Sequence, residues 1–208
     1  MSIQQILIWI AVILAAFFCG GIMFSRIIPK LICNTDISSV SPDGNPGAAN
    51  VFKYCGIKVG ITCLFLDMLK GFLPVYTAQK IFGYDDFLFF LVITAPVLGH
   101  AVSPYDKNKG GKCIATSFGV LLALFPANKI SLVLAAIYIF FSVIVKIDSH
   151  RIRSIVTFSV FSAVSCPLLI YIHKPGLALG CFAVSAITVI KHIKPTEAFQ
   201  PQQVPEQF

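Results

Sequence analysis

Residues 3–24 read IQQILIWIAVILAAFFCGGIMF, and no side chain among them carries a charge. As a helix rising about 1.5 Å per residue, such a stretch reaches about 33 Å and crosses a hydrocarbon core of about 30 Å. No Lys or Arg precedes it, it exceeds a signal-peptide core in length, and it ends without an A-x-A site. It therefore reads as a retained transmembrane helix.

Working outward, six further apolar runs follow at 56–78, 87–99, 114–127, 130–145, 155–172 and 176–190. Across the 208 residues, 57% are hydrophobic and 12% charged, with a mean hydropathy of +0.85, which excludes an ordinary water-soluble domain. The expectation is an all-α polytopic membrane protein of about seven transmembrane helices. The third and fourth runs are short and the third contains Pro96, so these two are expected to be tilted, buried in the bundle or joined as a re-entrant pair. The seven cysteines are scattered without a C-x-x-C pair, so they read as small apolar core residues, and no metal site or cofactor is expected.

Charge orients the bundle. With seven helices, one side collects Arg26, Lys30, Lys53, Lys58, Lys107, Lys109, Lys112, Lys146, Arg151, Arg153, Lys191 and Lys194, while the other holds Lys80, Lys129 and Lys174. The positive-inside bias then puts the carboxy terminus in the cytoplasm and the amino terminus outside. The net charge of +7 has the same origin, facing anionic lipid headgroups, so no nucleic-acid partner is implied. Residues 1–194 read as one integral membrane domain, and 195–208, rich in Pro and Gln, as a disordered cytoplasmic tail.

Polar chemistry concentrates in three places. Residues 34–50, NTDISSVSPDGNPGAAN, read as an irregular loop. Gly44 and Gly47 permit close backbone approach and Asn45 and Asn50 add amide donors, so the loop is either an ordinary turn or a cradle for phosphate. A second loop runs from Gly99 and His100 to Gly110, Gly111 and Lys112 at the start of the fourth run. Free N–H groups, the helix dipole and an ammonium there favour an anion, whether a substrate phosphate or a lipid headgroup. The Walker A pattern is incomplete, so a nucleotide is not implied. His100 has three open roles: general base, phosphate donor or hydrogen-bonded packing residue. Within the second run, Asp67 and Lys70 share a helical face, either neutralising one another or marking a polar pocket.

At these residues the chain resembles the bacterial acyl-phosphate:glycerol-3-phosphate acyltransferases, the PlsY family. Gly44-Asn45-Pro46-Gly47-Ala48-Ala49-Asn50 is similar to the family's G-N-x-G-A-T-N, Asp67 to Gly71 reproduces D-x-x-K-G, and Gly99-His100 with Gly110-Gly111-Lys112 and Ala115-Thr116 resembles G-H and G-G-K-G-V-A-T. The resemblance implies transfer of a fatty acyl group from acyl phosphate to the 1-hydroxyl of glycerol 3-phosphate at the cytoplasmic face of a bacterial plasma membrane. Its partners would be acyl phosphate, glycerol 3-phosphate and membrane lipids, without a cofactor. Gly110, Gly111 and Lys112 would hold phosphate, Asn45, Gly47 and Asn50 would line the same pocket, and Asp67 and Lys70 would orient it. No protein nucleophile is required, because acyl phosphate is already activated.

The chain also departs from that pattern. The family's D-I-R is Asp36-Ile37-Ser38, its G-S-G-N carries Pro42 and Asp43, its G-S-I is Gly20-Gly21-Ile22, and its ending H-x-x-N-I-x-R-L-x-x-G-x-E contracts to residues 192–197. Lys30, Lys53 or Arg151 would have to replace the lost arginine. The rival expectations are a transferase with another phosphorylated acceptor and a catalytically silent lipid-binding subunit. A transporter ranks last, since intramembrane charge is confined to Asp67 and Lys70.

Overall fold

The computed structural model describes residues 2–106 and 110–193, and every regular element among them is helical. Ser2 starts α1 (Ile3–Gly21) with a capping box: its Oγ accepts from Gln5 N–H at 3.2 Å, and Gln5 Oε1 accepts from Ser2 N–H at 2.8 Å. The chain breaks at Ile22 and Met23 and continues as α2 (Phe24–Ile32), so that residues 3–32 form one long apolar span in two pieces. Then come α3 (Ile37–Val40), α4 (Ala48–Phe82), α5 (Phe89–Val102), α6 (Ile114–Leu122), α7 (Ile130–Ile139) with a π-helical turn at Phe140–Ile144, α8 (His150–Tyr171) and α9 (Pro175–Ile193).

A helix occupies each of the seven apolar runs. Among the described residues four spans are long and apolar enough to cross a membrane: Ile3–Ile32, Ala48–Phe82, His150–Tyr171 and Pro175–Ile193. The short third run becomes α5, and it is the innermost helix, packed against α1, α4, α6 and α9. Glycines make this approach possible. A methyl group on Gly99 would stand 2.0 Å from Phe17 O, and one on Gly20 2.1 Å from Pro96 O, so α1 and α5 touch backbone to backbone. Between α4 and α6 the same device places Gly119 against Met68 O. Lipid supplies no hydrophobic drive between helices, so such close packing is what holds the bundle. Outward-facing residues such as Leu7, Ile10, Phe65, Leu132 and Ile170 are apolar and exposed.

Three boundaries differ from the sequence expectation. The stretch 34–50 is not irregular throughout. Asp36 caps α3, its carboxylate accepting from Ser38 N–H at 3.0 Å, and α4 begins at Ala48. Gly56, at φ 80°, bends α4, and this bend separates residues 48–55 from the apolar run. The helix α2 went unread because its amphipathic pattern spans only nine residues and includes Pro29. Finally, α8 starts at His150, because Ser149 caps it and its first basic turn lies ahead of the apolar run. The expected tail at 195–208, together with Lys107, Lys109 and Lys194, lies outside the described residues.

Candidate functional site

One end of the bundle gathers the carboxyl ends of α1, α5 and α9 with the amino ends of α4, α6 and α8. There a cavity of about 220 Å³ is lined by Asn45, Gly47, Asp67, His100, Lys112, Cys113, Tyr138 and His150, with Phe52, Leu64 and Ile114 as apolar wall. All three polar blocks of the sequence contribute to it.

The loop before α4 is held by its own side chains. Asp43 Oδ1 accepts from Asn50 Nδ2 at 2.8 Å and from Asn45 N–H at 3.3 Å, and Asn50 Nδ2 also donates to Asn45 O at 2.8 Å. Asp43 Oδ2 meets Lys112 Nζ at 2.6 Å. Burial pushes the Asp43 carboxyl up, but Lys112, Asn50 and Asn45 outweigh it and hold the group below its ordinary value. Gly47 opens α4 as its N-cap residue, in contact distance of the Asn45 side chain, and lines the cavity. Gly44 takes φ 55° at the turn and donates to Ser41 O at 3.0 Å, outside the lining.

The second loop lies against the end of α5. Gly111 N–H donates to His100 O at 3.0 Å, and a methyl group on Gly111 would stand 2.3 Å from His100 Nε2. One on Gly110 would reach 2.1 Å from Ala101 O. The two glycines thus let the loop lie flat on α5 and aim Lys112 into the cavity, without forming its wall. His100 is buried, and its Nδ1 has no hydrogen-bond partner among the described residues. Cys113 also lines the cavity, but its thiol faces Val97 O at 3.5 Å and Gly111 O at 3.6 Å.

Deeper in α4, Asp67 reaches the cavity and Lys70 stands behind it. Asp67 Oδ2 accepts from Ser25 Oγ, and Lys70 Nζ donates to Ile22 O. Lys70 therefore joins the break between α1 and α2 to α4 and does not line the site. Of the proposed stand-ins for the missing arginine, Lys30 and Lys53 are exposed and Arg151 donates to His192 O and Ile193 O at 2.8 Å each, closing the end of α9. None lines the cavity.

Besides Tyr138 and the apolar wall, two ionisable residues escaped the sequence reading. His150 lines the cavity with its ring 6.2 Å from that of His192, and Asp43, noticed only as a departure, is the partner of Lys112. No spacing links His150 to Lys112, since only the packing of α8 brings it near. Among the described residues no group of acidic, His and Cys side chains has the arrangement of a metal site.

A family model described as Glycerol-3-phosphate acyltransferase matches residues 10–199. A glycerol-3-phosphate acyltransferase from Trichlorobacter lovleyi is 36% identical over 188 residues, covering 89% of each chain. That of Syntrophotalea carbinolica is 33% identical over 182 residues, 86% of this chain and 88% of the relative. A third, from Maridesulfovibrio salexigens, is 41% identical over 120 residues, and the match spans 58% of this chain and 60% of that relative. Among solved structures, PlsY, an integral membrane glycerol 3-phosphate acyltransferase in its glycerol 3-phosphate form, superposes with a TM-score of 0.77 at 29% identity, covering 88% of both chains. The lysophosphatidic acid form of PlsY superposes with a TM-score of 0.75 at 28% identity, covering 89% of this chain and 88% of the other.

Proposed function

The chain belongs to the glycerol-3-phosphate acyltransferase family, and from that premise we propose the reaction and its geometry. It is an integral membrane acyltransferase of phospholipid synthesis that acylates glycerol 3-phosphate. The donor is an acyl phosphate: the acceptor's 1-hydroxyl oxygen attacks the acyl carbon, the bond from that carbon to the phosphate oxygen breaks, and the hydroxyl proton leaves on the departing phosphate. This balance needs neither a cofactor nor a protein nucleophile, in keeping with a Cys113 thiol turned to backbone carbonyls.

The observation that carries the reading is the convergence of Asn45, Gly47, His100 and Lys112, from separate loops and helices, on one cavity. Lys112 neutralises phosphate charge, Asn45 and Gly47 face the substrate, and Gly44, Asn50, Gly110 and Gly111 shape the two loops behind them. Asp67 and Lys70 hold the α1–α2 break against α4. His100 lines the cavity, and its imidazole can donate to a phosphate or receive a proton. Phe52, Leu64 and Ile114 offer an apolar start for the acyl chain, which continues along the helices.

Orientation follows from charge. The cavity end carries Arg26, Lys53, Lys112, Arg151 and Arg153, and the opposite end Lys80, Lys129 and Lys174. With the seven helices at 3–21, 48–82, 89–102, 114–122, 130–144, 150–171 and 175–193 in one membrane domain, the site faces the cytoplasm of a bacterial plasma membrane and the amino terminus lies outside.

The test is release of inorganic phosphate from palmitoyl phosphate by the purified protein in detergent, with and without glycerol 3-phosphate, with Lys112→Ala as control. Release that requires both the acceptor and Lys112 supports the reading. Folded wild-type protein that releases none overturns it.

A further inference from the structure

Two donors of the cavity lining, Lys112 Nζ and the Asn45 N–H, are already turned to an anion, and Asn50 behind them shares it. Lys112 Nζ, Asn50 Nδ2 and Asn45 N–H all point to the carboxylate of Asp43, at 2.6, 2.8 and 3.3 Å, and they occupy both of its oxygens. The group is only partly buried, with a third of its side chain exposed, so it can swing toward water when its partners are taken. Lys112 is the one fixed positive charge of the lining among the described residues.

We infer that Asp43 is an internal anion held against Lys112 at the edge of the phosphate cradle, where it competes with phosphate for that lysine and so sets the affinity of the site. The inference rests on the reading of this cavity as a phosphate site. A phosphate dianion entering beside an ionised carboxylate meets like charge at a few ångströms, and it gains the ammonium only by displacing a partner that is already paired. The interactions that hold Asp43 below its ordinary value also keep it ionised at neutral pH. The consequence falls on product as well as substrate. Inorganic phosphate formed by transfer is expelled when Asp43 returns to Lys112, so free phosphate does not hold the site.

Binding of inorganic phosphate and of glycerol 3-phosphate to the full-length protein in detergent micelles, measured by calorimetry, tests this. Asp43→Asn keeps the shape and, through its one carbonyl oxygen, can keep the contacts to Asn45 and Asn50 while removing the charge and the acceptor facing Lys112; Asp43→Ser removes the group altogether, so either folded variant serves. The expected result is phosphate binding at least about tenfold tighter than wild type, the scale of one charge-assisted contact, with stronger inhibition of turnover by added phosphate. A carboxylate that merely braced the loop would leave phosphate binding unchanged or weakened in these variants. That result, alongside weakened binding in Lys112→Ala, overturns the inference alone. Phosphate binding by Lys112→Ala equal to wild type would instead overturn the assignment of the cavity.

Discussion

Lys70 Nζ lies 2.8 Å from Asp67 Oδ1 with both side chains almost wholly buried, one helical turn apart on α4. The contact is electrostatic and lacks hydrogen-bond alignment at that oxygen, while the second oxygen accepts from Ser25 and the ammonium donates to Ile22 O. One pair of charges thus ties the break between α1 and α2 to the long helix, next to the cavity floor.

Removing one member leaves the other buried and uncompensated. Lys70→Ala and Asp67→Ala should each lose about 3–5 kcal/mol of stability, read as a drop in thermal midpoint in detergent. The double replacement Asp67→Leu with Lys70→Met should recover much of that loss. A double variant no more stable than either single one would remove the pair from the list of structural supports.

The contact of α4 with α6 depends on a missing side chain. A methyl group on Gly119 would come within 1.9 Å of Met68 O, and backbone cannot rotate away from it. Gly119→Ala should therefore cost at least about 1–3 kcal/mol, whereas Leu132→Ala, on the outward surface, should stay within roughly 0.5 kcal/mol of wild type. Equal effects at the two positions would contradict this packing.

Asp43 also makes the stability of the loop depend on pH. Its folded value lies below the unfolded one, so its contribution is complete above the unfolded carboxylate range, about 3.9, and is lost as pH falls through the folded value. The thermal midpoint of wild type should exceed that of Asp43→Asn at pH 6, and the gap should close toward pH 3. A gap that stayed constant over this interval would mean that Asp43 is not ionised against Lys112.

The chemistry predicts indifference at one cavity residue. Cys113→Ser should keep turnover within about threefold of wild type, since the thiol faces carbonyls and the reaction needs no thiol nucleophile. Loss of a hundredfold or more, with the fold intact by circular dichroism, would put a covalent acyl intermediate back in play.

The helical membrane character was legible in the sequence because it depends on composition along a single segment: apolar runs that satisfy their own backbone as helices, the longest of them too long for a core helix. The runs fell on helices, although among the described residues four spans have the length and composition to cross a membrane. The three polar blocks were legible too, since Asn45, Gly47, Asp67, His100 and Lys112 line one cavity. What those residues do to one another was not. Asp43 reaches Lys112 across 69 positions of chain and His150 joins them from α8, and no local period encodes such distances. The glycines of the two loops carried a motif, but the sequence did not show that Gly110 and Gly111 also let their loop approach α5 closely. Sequence determined the solvent of this protein, its helices and the identity of its polar groups, because these follow from local hydropathy and motif. Only the tertiary structure decided which donors face the cavity and which anion they already hold, because that depends on where separate helices come to rest.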